Sequence, residues 1–126
     1  MTATPLSGAR VLLVLAPKGY REVELKTCRN VLEAAGATVL LGTPEGGDAT
    51  GAGGETIQTI PLTEPRTSEL HGVVVLGGPG AQAHLWTNGL LHKVLRMLER
   101  DGRPLGAVGL GVGALGKAGL LEKKKA

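Results

Sequence analysis

The chain has 126 residues, 42% of them hydrophobic, with one Trp, one Tyr, no Phe, a single cysteine and a net charge of +3. That length supports one domain, residues 1–126, around an aliphatic and small-residue core, with 1–9 and 122–126 expected as flexible ends. The composition argues against several classes at once. No apolar run approaches the roughly 18 residues of a membrane span, MTATPLSGAR lacks the pattern of a secretory signal, and a lone Cys28 forms no internal disulfide and suits the cytoplasm. With the basic excess gathered in Lys123-Lys124-Lys125 and almost no aromatic side chains to stack on bases, a nucleic-acid partner is not expected.

Arg10–Ala16 is a continuous apolar run of strand length, which suits a strand buried on both faces of a parallel sheet. Pro17-Lys18-Gly19 reads as a turn. From Glu22 the period becomes helical: Leu25, Cys28, Leu32 and Ala35 share one stripe with Val31 beside it, while Arg29, Asn30 and Glu33 lie away from it. Gly36 is the expected left-handed stop, and Ala37–Leu41 is the next strand, completing a right-handed βαβ unit. Thr43–Glu55 (TPEGGDATGAGGE) reads as a flexible loop, Ile57–Leu62 as a short edge strand ended by Pro61, and Glu64–Leu70 as a loop or a single helical turn.

The second half repeats this grammar. Gly72–Leu76 is a buried strand that breaks into Gly77-Gly78-Pro79-Gly80. Asn88 caps a helix reaching Arg100, with Leu91, Leu95 and Leu98 inward and Arg96, Glu99 and Arg100 outward. Gly102 ends it, Pro104–Val108 is a strand, Gly109-Leu110-Gly111 a sharp turn, and Val112–Ala118 a short helix. The alternation predicts an α/β fold with a doubly wound, mostly parallel sheet and helices on both faces, a flavodoxin-like three-layer arrangement. Ligands of such sheets bind beyond the carboxyl ends of the strands, here Pro17–Arg21, Gly77–Gly80 and Gly109–Gly111.

Four stretches in this order resemble the DJ-1/PfpI family of the class I glutamine amidotransferase-like fold. They are Gly19-Tyr-Arg-Glu-Val-Glu-Leu25, Val31-Leu-Glu-Ala-Ala-Gly36, Val73-Val-Val-Leu-Gly-Gly-Pro-Gly-Ala81, and Ala107-Val-Gly-Leu-Gly111 followed by Lys117-Ala-Gly-Leu-Leu121. The resemblance implies a cysteine at the strand-to-helix elbow, a glutamate hydrogen-bonded to its sulfur, and backbone amides that hold an oxyanion. Matched residue by residue, the cysteine position is Gly109, the following histidine is Leu110, and the glutamate position is Arg21. The implied backbone pocket remains: Gly77, Gly78, Gly109 and Leu110, with Tyr20 and His84 at its rim. Family members run on beyond this point with further strands and a helix, so the resemblance also implies a C-terminally shortened sheet, with a homodimer expected to cover it.

Other residues read more plainly. Cys28 on the inner stripe is a buried structural thiol before it is a nucleophile, and Glu22 and Glu24 complement the helix dipole. His71, His84 and His92 have no metal-ligand spacing, so no metal or cofactor is expected. Gly109, Gly111 and Gly113 fit neither a phosphate loop nor a dinucleotide fingerprint. The expected function is a non-catalytic domain for interaction or for binding a small carboxylate or phosphate, with Arg21 as its cation. The alternatives are a cysteine-dependent hydrolase of glyoxalase, deglycase or peptidase type, and a truncated or engineered fragment.

Overall fold

The structure is a computed structural model and describes residues 6–107. Seven strands form one sheet: β1 Arg10–Val14, β2 Lys18–Tyr20, β3 Thr38–Thr43, β4 Glu45–Gly51, β5 Thr56–Pro61, β6 Gly72–Val75 and β7 Leu105–Ala107. Their spatial order is β2-β4-β5-β3-β1-β6-β7. Every neighbouring pair is parallel except β4 and β5. The helices are α1 Glu22–Ala34, α2 Ala81–His84 and α3 Gly89–Arg100, with a single 3-10 turn at Thr67–Glu69 where a loop or one helical turn was expected.

The apolar run at the start of the chain becomes the middle of this sheet because it has something to bury on both sides. Leu12 and Val14 face one layer, with Leu91, Val94, Leu95 and Leu98 of α3. Leu13 and Val11 face the other, with Leu25, Cys28 and Leu32 of α1. The winding explains the two layers. From β1 the chain crosses by α1 to β3 on one side, and from β6 it crosses by α3 to β7 on the other; right-handed crossovers in opposite directions put the helices on opposite faces. The doubly wound, mostly parallel sheet read from the sequence is therefore the observed one.

Helix boundaries follow local chemistry. Gly36 (φ 98°) and Gly102 (φ 72°) take the left-handed stop after α1 and α3. The Asn88 side chain accepts a 2.9 Å hydrogen bond from the Leu91 amide, capping α3 as expected. Asn88→Ala should cost about 1 kcal/mol, the usual value of such a cap, read as a lower urea midpoint with an unchanged slope. On α1, Leu25 is buried and Cys28, Leu32 and Ala35 are half-buried, but Val31 lies outside the stripe and is 64% exposed.

Several expectations require correction. The segment from Thr43 to Glu55 is not a flexible loop: Glu45–Gly51 is β4, paired antiparallel with β5 through Asp48↔Gln58, Ala49↔Ile57 and Thr50↔Thr56. Polar side chains take the place of apolar ones in fixing it. The Thr43 and Thr59 hydroxyls lie 2.9 Å apart, the Gly46 amide donates to Thr43 Oγ1 at 2.9 Å, and Thr59 Oγ1 donates to the Gly47 carbonyl at 2.7 Å. As a consequence β5 is no edge strand, since β4 covers one side and β3 the other. Lys18 and Gly19, expected in a turn with Pro17, belong instead to the edge strand β2, paired with β4. At the N-terminus residues 6–9 are held rather than loose: the Leu6 amide bonds the Ala35 carbonyl at 2.9 Å, and Leu6 packs on the α1-side core. The short helix α2 was not foreseen. The expected elbow Gly109–Gly111 and the helix Val112–Ala118 lie outside the described residues, as do both extreme ends.

Candidate functional site

The winding reverses direction between β1 and β6, and a ligand of such a sheet sits beyond the carboxyl ends of those two strands. The segments that emerge there are Leu15–Tyr20 and Leu76–Gly80. They are stitched together by backbone: the Leu76 amide bonds the Val14 carbonyl at 2.8 Å, the Gly80 amide bonds Gly19 at 3.0 Å, and the Arg21 amide bonds Gly77 at 3.3 Å. The approach is so close that glycine is required. Gly78 has φ 109°, and a Cβ there would lie 2.5 Å from the Gly19 carbonyl oxygen and 2.7 Å from the Arg21 nitrogen. Ala81 follows, fully buried, and starts α2.

The first turn of α1 brings two carboxylates to this region and sends them in different directions. Residues two apart on a helix point roughly 200° apart, so Glu22 and Glu24 cannot share a partner. Glu24 turns toward the glycine segment: its Oε1 accepts a 2.8 Å hydrogen bond from the Gly77 amide, and its side chain is only 17% exposed. Glu22 turns toward the turn between β4 and β5, where it accepts from the Gly53 and Glu55 amides. The dipole reading of these two residues is thus incomplete, because each carboxylate also binds backbone outside its own helix. Arg21, matched to the glutamate position, has a side chain 61% exposed, with its Nε 3.4 Å from Glu24 Oε2. The carboxylate that faces the glycine segment is Glu24, three residues further on. Nothing local in the sequence separates the two, because both satisfy the helix dipole; what singles out Glu24 is its distant partner, the Gly77 amide.

Tyr20 does not line a rim. Its side chain is fully buried, its hydroxyl donates to the Glu55 carbonyl at 3.2 Å, and burial first, then the charges of Glu55 and Glu22, push the phenol above its ordinary range. His84 is half-buried at the end of α2, the element that follows the glycine segment. The other two histidines are elsewhere: His71 Nδ1 accepts from the Arg10 amide at the opposite end of β1, and His92 Nε2 lies 2.6 Å from the Trp86 carbonyl. Among the described residues no group of His, Cys, Asp and Glu is placed to hold a metal ion, and no helix is long and apolar enough to cross a membrane.

Cys28, the single thiol of the chain, sits half-buried on α1 against the sheet. Burial raises its pKa, and the Glu24 carboxylate one helical turn away raises it further. Both effects disfavour the thiolate that a nucleophile needs. Gly77, Gly78 and Arg21 are therefore brought together with Glu24, whereas Cys28 stays on the core side of α1. Gly109 and Leu110 lie outside the described residues.

A family model described as the DJ-1/PfpI family matches residues 9–126. An uncharacterised protein of Methanocaldococcus jannaschii is 30% identical over 123 residues, covering 96% of this chain and 60% of that protein. The chain thus spans about three fifths of that relative's length. Among solved structures, a ThiJ/PfpI domain protein from Brachyspira murdochii is similar with a TM-score of 0.85 at 21% identity, covering 93% of this chain and 67% of the other. Drosophila melanogaster DJ-1beta is similar with a TM-score of 0.82 at 25% identity, covering 90% and 61%.

Proposed function

Since the chain belongs to the DJ-1/PfpI family, we propose that it is a non-catalytic member, a cytoplasmic binding module for a small carboxylate or phosphate at the carboxyl ends of β1 and β6. The observation that carries this reading is the placement of sulfur. The chain has one cysteine, and it lies on the inner stripe of α1 with its thiolate disfavoured by burial and by Glu24. At the position matched to the family's nucleophile the sequence has Gly109, which carries no side chain to react. What remains is a polar cradle. Arg21 supplies the exposed cation at its mouth, the glycine segment supplies close backbone, and Glu24, bound to the Gly77 amide, holds that segment in place.

We propose further that two chains pair, not over the shortened end of the sheet as the resemblance implied, but through the groove of about 520 Å³ between α1 and the β4–β5 hairpin. Val23, Leu25 and Ile57 give it apolar lining, Val23 at 73% exposure, while Lys26, Arg29, Glu33 and Glu55 give it both signs of charge. A two-fold interface sets one patch against its own copy, and a patch with both signs of charge can pair each sign with the other across the axis.

The test combines binding and turnover. Phosphate or acetate should raise the melting temperature saturably, by the equivalent of about 2.7 kcal/mol at a hundredfold excess over Kd, and Arg21→Ala should remove the effect. Methylglyoxal should not be turned over. Turnover that disappears in Cys28→Ala would replace this reading with the cysteine-dependent enzyme.

A further inference from the structure

We infer that Glu22 is an acid-released clasp: its ionised carboxylate fastens the tip of the β4–β5 hairpin to the start of α1, and protonation lets the tip go. The tip comprises residues 51–55, and it meets Glu22 through main chain alone. Glu22 Oε1 and Oε2 accept from the Gly53 amide at 3.1 and 2.9 Å, and Oε2 accepts from the Glu55 amide at 3.2 Å. Two backbone donors converging on one carboxylate make a small anion nest, filled here by the protein's own side chain.

The sequence of the tip is shaped to this contact. A Cβ on Gly51 would overlap the Glu22 carboxyl group, and one on Gly53 would come within 3.0 Å of Oε2. Tyr20 flanks the clasp, its carbonyl accepting from the Ala52 amide at 2.8 Å and its hydroxyl donating to the Glu55 carbonyl at 3.2 Å. Glu22 and Glu55 also form part of the groove along α1, so movement of the tip reshapes one end of that groove.

The charges around Glu22 set the sign of the switch. Glu55 on the tip is of like charge, Tyr20 on β2 is neutral, and Lys26 and Arg29 follow along α1 in the same groove; Arg21 is paired instead with Glu24. The Glu22 carboxyl is held below its ordinary range, first by its own backbone amide, then by that of Gly53, with a further contribution from that of Glu55, against the opposing effect of burial. A carboxylate lowered in the folded state contributes stability above its unfolded pKa and loses it as pH falls through the folded value. The clasp is therefore closed at neutral pH and opens in acid, below the ordinary glutamate range.

The experiment is proton–nitrogen NMR on the full chain. In the wild type the Gly53 and Glu55 amide resonances should titrate together with the Glu22 carboxyl carbon, while the Leu12 and Val73 amides stay still. Glu22→Gln at neutral pH should reproduce the acid positions of Gly53 and Glu55 and speed their hydrogen exchange severalfold, since loss of the charge weakens the bonds. A Gly53 amide that ignores the Glu22 titration, or follows the Glu55 carboxyl carbon instead, would overturn the clasp. So would unchanged exchange at both amides in Glu22→Gln. Should that variant not fold, the wild-type titration decides alone.

Discussion

Gly80→Ala should lower folding stability by about 3 kcal/mol, the upper end of what overpacking usually costs, although it adds a single methyl group. The added Cβ would fall on the Lys18 carbonyl oxygen, with the carbonyl carbon at 2.8 Å and Ala16 Cβ at 3.2 Å. Those atoms are backbone and core, so neither can rotate away. Lys18 belongs to β2, and the Gly80 amide bonds the neighbouring Gly19 carbonyl at 3.0 Å, so any retreat breaks the seam between the two segments of the site. The conformation itself is no obstacle, because Gly80 has φ −81°; the effect is purely one of space. Gly89 is the matched control. It is the first residue of α3, and a Cβ there meets nothing within 4 Å. Gly89→Ala should stabilise the chain by about 0.5–1 kcal/mol through helix propensity and a less flexible unfolded state. Urea midpoints of the two variants should move in opposite directions. Equal midpoints would mean that the seam between Lys18–Gly19 and Gly78–Gly80 is looser than these distances state.

The elements that were legible in the sequence are those whose burial is written in consecutive side chains. Arg10–Val14, Gly72–Val75 and the Leu91-Leu95-Leu98 face of α3 each name their own environment, because a run of apolar residues, or apolar residues repeating at helical period, is accommodated together only in a core. Strand β4 was invisible for the complementary reason. In EGGDATG only Ala49 and Gly51 are buried, so a single apolar side chain reaches the core, and the strand exists through its ladder to β5 and through the Thr43 and Thr59 hydroxyls, which no local period encodes. Once β4 was read as a loop, β5 had to be placed at the edge and β2 could not be seen at all. The site divided in the same way. The glycine segment was legible because Gly77-Gly78-Pro79-Gly80 interrupts an apolar run, and its position at the strand ends follows from the alternation of elements. Glu24 was not, since two glutamates in one helical turn satisfy the dipole equally well. Only the position of Gly77, 53 residues away, distinguishes them.

Leu12→Ala should cost between about 2 and 5 kcal/mol, the range for emptying a fully enclosed leucine site. Leu12 has no exposed surface, occupies the central strand, and faces the α3 layer with Val14, Val73 and Leu95. It is also wedged across the sheet, its Cδ1 lying 3.0 Å from where a Cβ on Gly42 would stand. That neighbour cannot fill the space left behind, because glycine has no side chain to swing inward. The loss should therefore fall toward the upper part of the range, and single domains have only about 5–15 kcal/mol in all. Leu13, equally buried, points to the α1 layer instead, and Leu13→Ala tests the same physics on the other face. The two substitutions should differ in what else they disturb. Leu13→Ala loosens the layer that holds Leu25 and Cys28, so the Cys28 thiol should become faster to label with a thiol reagent. Leu12→Ala should leave that labelling rate at the wild-type value under conditions where both variants remain folded. A Cys28 that reacts at one rate in both variants would show that α1 is held by something other than its packing on Leu13, and the two-layer description of the core would fail with it.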